Sequence, residues 1–496
     1  MTLLLIAWLL LPFLAAFSAA LLPSLARPLA LGCALLTTLL GAALLLGLAP
    51  TTLELSGPLG VLLQVDRMAA PFLLLAGLVV LAVLLDRSSR AMAGPFLVLV
   101  MVLLGGLDSA FVAVDLVSLY VALEVVGITA FLLILQKREP PQLWIALRYL
   151  LVGNSVMSLY LIGVAELYLH TGSFRLEALR DPALSGPVLA VVLAPLLVGL
   201  LTKGGLFLSG LWLPRTHAEA PAPVSALLSG AVVAGGLCPL LRLEVLLPAQ
   251  QPLLAWIGLA SALLGVLQAL GESDLKRLLA WSTLSQVGLV LLQPAVGGAY
   301  ALAHGLAKAG LFLASAQVPS RDLAQWGRQA LPLGLGLPLL LASLSIAGAP
   351  PLLGFWTKQA LEQAQQPIPP ALLLAVMVGT AAVYARLCRL PLQLSRQVPS
   401  QGALLLAGLL VLAALSPVAV PLKGAAWLKA LGVLLAGALV ELLLAALRRG
   451  GGTFLPRPLP SLERLPDLLG GMALVGAALL LALGFWPGAG GVAWAR

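Results

Sequence analysis

Val198 to Gly230 reads VGLLTKGGLFLSGLWLPRTHAEAPAPVSALLSG. It begins as an apolar run, meets Lys203 with Gly204 and Gly205 behind it, and then takes Pro214, Pro221 and Pro223 before turning apolar again. An apolar run of this kind forms a helix, because a helix satisfies all its backbone hydrogen bonds internally. Paired glycines and repeated prolines break that helix, since proline lacks the N–H and clashes with the preceding turn. Broken helices at membrane depth occur where protein or water satisfies the freed backbone. The stretch therefore predicts two spans joined by an irregular, polar turn, with a lysine inside the first.

The rest of the chain agrees. Of 496 residues, 61% are hydrophobic and only 9% are charged, and the mean hydropathy is +1.08. A soluble domain carries roughly 25% charged residues, so this chain lacks the polar surface that water requires. Apolar stretches run without alternation for about 20 residues, which is helix length for a bilayer and excludes a transmembrane β-barrel. The expectation is an all-α, polytopic integral membrane protein. At roughly 30 residues per span and loop it holds about 14–16 transmembrane helices. The run from Leu3 to about Leu22 has no basic region before it and reads as a first span, not as a cleaved signal peptide. Cys33, Cys238 and Cys388 lie in apolar stretches, so neither a disulfide framework nor a metal cluster is expected.

The 28 basic and 19 acidic residues leave a net charge of +9. In a membrane protein this excess belongs to loops on one face, and no nucleic-acid partner is needed to explain it. Arg27, Arg87 and Arg90, Lys137 and Arg138, Arg215, Lys276 and Arg277, and Arg321 and Arg328 fall in alternate loops. By the positive-inside rule that face is cytoplasmic or its equivalent, and the N-terminus is outside. From Arg448 to Asp467 the chain is rich in Gly, Pro and charge and reads as a surface linker before a last span.

Soluble-enzyme signatures are absent: there is no phosphate-binding loop, dinucleotide fingerprint, HExxH or CxxC. No cofactor is expected. The informative groups are ionisable side chains inside apolar runs. Each costs about 2.5–3.5 kcal/mol to insert at a helix centre, so those retained tend to pair and to mark an ion or proton route. Glu124 lies mid-span in LVSLYVALEVVGITAFLLI, and Lys203 lies deep in its run. The two are expected to pair. His304 and Lys308 sit at i and i+4 on one helical face, and an imidazole can both donate and accept a proton. Lys358 follows the Gly- and Pro-interrupted segment GAPPLLGFWTK, and facing headgroups from a helix end is its alternative reading. His217 and Glu219 lie in the proline-rich turn, either as accessory groups or as a water-facing turn. Asp115 is a further accessory candidate or merely interfacial, and the role of Glu441 stays open.

These residues also carry a resemblance. LWLPRTHAEAPAPVSALLSG, DLKRLLAWSTLSQVGLVLL (Asp274 to Leu292), HGLAKAGLFL (His304 to Leu313) and SIAGAPPLLGFWTK (Ser345 to Lys358) resemble, in order, the antiporter-like membrane subunits. That family is shared by respiratory complex I, its photosynthetic relatives and Mrp-type multisubunit cation/proton antiporters. ALEVVG around Glu124 and ALRYLLVGNSVMSLYLIG (Ala146 to Gly163) also fit. The resemblance covers residues 108–390 and implies two inverted five-helix repeats, about 108–246 and 252–390, each with a broken helix. N-terminal spans (1–107) and C-terminal spans with the 448–467 linker (391–496) flank it. It implies that Glu124 and Lys203 form the ion pair of a first half-channel and that His304, Lys308 and Lys358 carry protons through a second. Lys276 would stand on the cytoplasmic side.

The implied function is that of a proton-translocating subunit, H⁺ being coupled to Na⁺ or another cation, in an Mrp-type antiporter of an energy-coupling membrane (bacterial plasma membrane or thylakoid). Other membrane subunits would be its partners. The alternative is a membrane-arm subunit of an NADH- or ferredoxin:quinone oxidoreductase, with no redox site in this chain. Some positions depart from the family. Ala234 stands where many members carry a lysine, and Ser229 where one branch carries a histidine. Gly210 replaces a common histidine, Arg215 an acidic residue, and Arg148 a lysine. These departures keep open a second alternative, a structural membrane subunit that has lost transport.

Overall fold

The protein is described here from a computed structural model, for residues 2–55, 60–92, 94–137, 139–326, 330–365, 367–389, 392–393, 400–412, 424–449 and 463–485. Arg138, Arg328 and most of the 448–467 linker lie outside these residues. The helices are α1 (Thr2–Leu21), α2 (Ala26–Leu45), α3 (Ala70–Leu85), the single turn α4 (Arg87–Arg90), α5 (Phe96–Val112), α6 (Leu116–Ile134) and α7 (Pro140–Thr171). Next come α8 (Pro187–Lys203), α9 (Leu213–Glu219), α10 (Ala222–Leu227), α11 (Ala234–Leu246), α12 (Gln251–Gly271), α13 (Leu275–Val290) and α14 (Pro294–Ala314). The chain ends with α15 (Leu333–Ala347), α16 (Leu353–Gln363), α17 (Pro370–Ala385), α18 (Gln401–Leu412), α19 (Gly424–Arg449) and α20 (Leu465–Phe485).

The all-α polytopic expectation holds. Among the described residues, eight helices are long and apolar enough to cross a membrane, and the bent pair 187–203 and 207–219 makes a ninth. Five shorter apolar helices accompany them. The long helices differ in burial as membrane helices should: the 222–246 span is wholly buried, whereas α19 is exposed along most of its length. Leu428, Leu435, Leu439 and Leu443 of α19 point outward, where hydrocarbon would meet them.

One element is not foreseen in an all-helical reading: a hairpin of β1 (Thr51–Leu55) and β2 (Val61–Val65), antiparallel with Leu53 opposite Leu63. It lies at the end of the bundle opposite the basic loops. There Leu62 N–H donates to Asp115, Asp66 pairs with Arg242 at 2.8 Å, and Arg175 pairs with Glu54. At the other end Asp274 caps α13 by accepting from Arg277 N–H at 3.0 Å and pairs with Arg321 at 2.7 Å. Arg277 and Arg321 thus lie at this end, and Arg175 and Arg242 at the hairpin end. A second, minimal sheet pairs β3 (Leu331–Pro332) with β4 (Leu392–Gln393).

Two breaks interrupt the helices next to Lys203 and Lys358. α8 stops at Lys203, and the chain bends by 41° before α9, with Gly205 in a left-handed conformation (φ +70°) that other residues rarely adopt. α15 stops at Gly348 (φ +91°), and α16 resumes at Leu353. A third irregularity is a π turn, Leu228–Val232, between α10 and α11. Small residues let the backbones close around these breaks. A Cβ on Gly236 of α11 would stand 2.3 Å from the amide of Gly204, so α11 lies directly against the broken end of α8.

Candidate functional site: a buried row of ionisable side chains

Lys203 is the last residue of α8, so its amine leaves the helix where the chain turns away. It reaches α6. The Nζ lies 3.1 Å from Glu124 Oε1 and donates to the Leu123 carbonyl at 3.3 Å. The side chains are only 10% and 19% exposed, which makes this the ion pair expected from the sequence. A glycine makes the room: a Cβ on Gly127 would stand 2.8 Å from the lysine nitrogen. A small cavity beside the amine is walled by Tyr149, Gly153, Thr202 and Trp212. Trp212 is fixed by donating from its indole to the Thr202 carbonyl at 2.9 Å.

α14 carries the second group. Lys308 is fully buried; its Nζ donates to the Leu279 carbonyl and to the Tyr384 hydroxyl, each at 2.7 Å. Tyr384 also shares a 2.8 Å hydrogen bond with Ser282. One turn earlier, His304 is buried with neither ring nitrogen hydrogen-bonded. It lines a small cavity together with Lys358, Tyr300, Gln286, Ser345 and Thr357. Tyr300 donates to Gln286 at 2.8 Å, and Gln286 to Thr380 at 3.2 Å, so the wall of this cavity is a hydrogen-bonded polar strip. Lys358 is 5% exposed and its amine has no hydrogen-bond partner. The headgroup-facing reading of Lys358 is therefore corrected: the break after α15 lets α16 turn this lysine inward.

His217 of α9 lies near the second group, against α14. It is wholly buried, stacked on Phe312 with ring centroids 4.7 Å apart, and both its nitrogens lack partners. Its charged neighbours are the amines of Lys276 and Lys308. Lys276 itself donates to the Ala220 carbonyl, in the same proline-rich turn. Ser229, in the π turn, hydrogen-bonds Thr283 at 2.7 Å. π turns of this kind are frequent at functional sites.

Other candidates lie elsewhere. Glu219 is exposed, so the water-facing reading holds for it while His217 is buried. Asp115 caps α6, accepting from Ser118 N–H at 2.7 Å and Leu62 N–H at 2.9 Å, and takes no part in the row. Glu441 is 2% exposed and faces Arg448 (3.3 Å), Arg389 (3.7 Å) and Arg386 (3.9 Å) near the end of α12. Arg148 donates to the Glu463 carbonyl and so ties α7 to the start of the last span. Tyr384, Tyr300, Gln286 and Thr380 escaped the sequence reading. Their signal, a polar atom inside an apolar run, is weak for tyrosine, whose ring reads as apolar. Asp108 of α5 also escaped it: it is fully buried and accepts from Thr37 at 2.7 Å.

A row of amines, imidazoles and one carboxylate across a bundle can pass protons, because each group exists in two protonation states and neighbours set which is favoured. Comparison with known proteins identifies the family of the chain. Residues 113–381 match the family described as NADH:quinone oxidoreductase/Mrp antiporter, TM. The chain is 31% identical over 336 residues to an NADH-quinone oxidoreductase subunit of Desulforudis audaxviator, covering 61% of this chain and 66% of that one. It is 32% identical over 342 residues to a Na(+)/H(+) antiporter subunit of Alkalihalophilus pseudofirmus, covering 63% and 69%. The match to a hydrogenase-4 component of Escherichia coli spans 40% of that protein. Among solved structures, respiratory complex I from Thermus thermophilus contains a chain that aligns over 94% of this one with a TM-score of 0.67 and 28% identity. The Mrp complex from Dietzia shares the fold, with a TM-score of 0.70 at 20% identity. By the 113–381 match and the antiporter relative together, the chain belongs to the NADH:quinone oxidoreductase/Mrp antiporter membrane-subunit family.

Proposed function

We propose that the chain is a proton-translocating subunit of a multisubunit membrane complex. It moves H⁺, coupled to Na⁺ or another cation, through the row Glu124, Lys203, His217, Lys276, Lys308, His304 and Lys358. The observation that carries this reading is the 3.1 Å contact between Glu124 and Lys203, two costly charges kept together inside the bundle. An antiporter subunit of Mrp type is preferred, and the membrane arm of a quinone oxidoreductase is the alternative. Under this reading the basic end faces the cytoplasm and the N-terminus lies outside.

The energies are of the right order. One charge crossing 100 mV is worth about 2.3 kcal/mol, and one unit of pKa is worth about 1.4 kcal/mol. Rearranging a single pair can therefore couple to the membrane potential. If Lys203 leaves Glu124, it loses the carboxylate that stabilises its charge, and its proton is free to pass toward the second group.

The position of His217 favours transport over the lost-transport alternative. Ala234 supplies no ionisable side chain, but the buried imidazole of His217, near Lys276 and Lys308, offers one. The test is purification with native partners, followed by Na⁺-dependent proton flux in vesicles. His217→Leu keeps the site apolar and should lower flux at least tenfold, about 1.4 kcal/mol of barrier, with the complex still assembled. Unchanged flux in that variant would remove His217 from the row and leave the link between the two groups to water alone. Absence of flux from the intact wild-type complex would support the structural alternative.

A further inference from the structure

We propose that Glu362 is a shared carboxylate that gates the outer mouth of the Lys358 site, pairing in turn with Lys429 and with Lys358. The proposal rests on the proton-path reading of Lys358 above. Lys358 and Glu362 are one turn apart on the same face of α16. In the structure Glu362 is taken by a third residue: Lys429 of α19 lies 2.7 Å from its Oε2, and Gln359 donates to the same oxygen at 3.4 Å. The amine of Lys358 has no hydrogen-bond partner. All three ionisable groups line one cavity of about 20 Å³, with Gly348 and Phe355 among its walls. That is room for about one water.

Two amines thus compete for one carboxylate. A buried ammonium needs a paired anion. With Glu362 committed to Lys429, the arrangement suits a neutral Lys358. Turned toward Lys358, Glu362 stabilises the ammonium and releases Lys429. Exposure grades outward from 5% at Lys358 through 13% at Glu362 to 52% at Lys429, so the pair is placed as a stopper. The end of α16 lies away from the basic loops, since Gln293 in the α13–α14 turn donates to the Gln365 carbonyl at 2.8 Å. A proton arriving from the His304 side would sit on Lys358 Nζ and draw Glu362 to it. It would leave to water when Glu362 returns to Lys429. One proton enters for each that leaves.

The other ionisable groups near Lys358 are few. α14 brings His304 and Tyr300 to its second cavity. α15 brings Ser345 and no ionisable side chain, and the described part of α18 has none. α17 brings Met377 to the mouth, its one ionisable group, Tyr384, being held by Lys308.

The test uses the assembled complex in vesicles, with proton flux measured against pH on the face opposite the basic loops. Lys429→Met leaves Glu362 to Lys358 alone, and the half-maximal pH should move up by about one unit or more. Glu362→Gln removes the anion, and the half-maximal pH should move down by a similar amount. Lys429→Arg should keep the wild-type profile. A merely structural ion pair would lower flux in both variants without opposite shifts. Shifts in one direction, or none, with Lys358→Ala abolishing flux, would overturn the gate alone. Unchanged flux in Lys358→Ala would overturn the path itself. Should Lys429→Met fail to assemble, Lys429→Gln carries the same expected upward shift.

Discussion

Replacing Lys308 with methionine is expected to stop proton flux, by at least tenfold, while leaving the assembled complex as stable as before or more so. The two halves of this result come from one geometry. Lys308 is fully buried and is held by a backbone carbonyl and the Tyr384 hydroxyl, with its amine 5.5 Å from the centre of the Tyr384 ring. Among the described residues no carboxylate pairs with it. Neutral hydrogen-bond acceptors and a ring face offset only part of the cost of burying an ammonium. Methionine has similar volume and no charge, and replacing buried ionic groups by well-packed apolar ones is often neutral or stabilising. A residue kept for stability would show the reverse. Thermal unfolding of the purified complex and flux in vesicles read the two quantities separately. Tyr384→Phe is the companion variant: it keeps the ring and removes one acceptor, and should reduce flux less than Lys308→Met does. Full flux with methionine at position 308 would remove the second group from the route.

What the sequence disclosed follows from the same cost. Glu124, Lys203, His304 and Lys308 stand out because a bilayer span contains few ionisable groups, and each one present demands a reason. The spacing of His304 and Lys308 already puts them on one face. The breaks after Lys203 and before Lys358 were legible as Gly and Pro in apolar runs. Partners set by tertiary contact were not. Phe312 lies far along the chain from His217, and nothing local shows that the proline-rich turn is buried under α14. Glu362 and Lys429 are 67 residues apart, and each sits near a span end, where a charge is unremarkable. Tyr384 hides for a chemical reason, since its ring counts as apolar while its hydroxyl holds Lys308. Asp115 read as a candidate from charge alone. Its side chain caps the first turn of α6, a role that a carboxylate three residues before Ser118 fills without any channel.

The Glu124–Lys203 contact yields the other large effect, and here stability and transport should separate on combining two substitutions. Lys203→Met alone leaves a carboxylate nearly buried, and Glu124→Ala alone leaves an amine. Removing one partner of a buried pair costs about 3–5 kcal/mol, and the residual exposure of 10% and 19% places this pair toward the lower end. Against a typical total stability of about 5–15 kcal/mol, either single variant should unfold at lower temperature and assemble in lower yield. Glu124→Gln combined with Lys203→Met leaves no charge to strand, so the double variant should recover most of the lost stability. Gly127 remains to accommodate the methionine end, because the space it opens was already filled by the lysine. Proton flux should stay at least tenfold down in all three variants, since apolar and amide groups cannot exchange a proton in this way. Recovery of both stability and flux in the double variant would show the pair to be a brace between α6 and α8. Recovery of stability alone would assign its charges to transport, because packing is then intact and only the capacity to gain and lose a proton is gone.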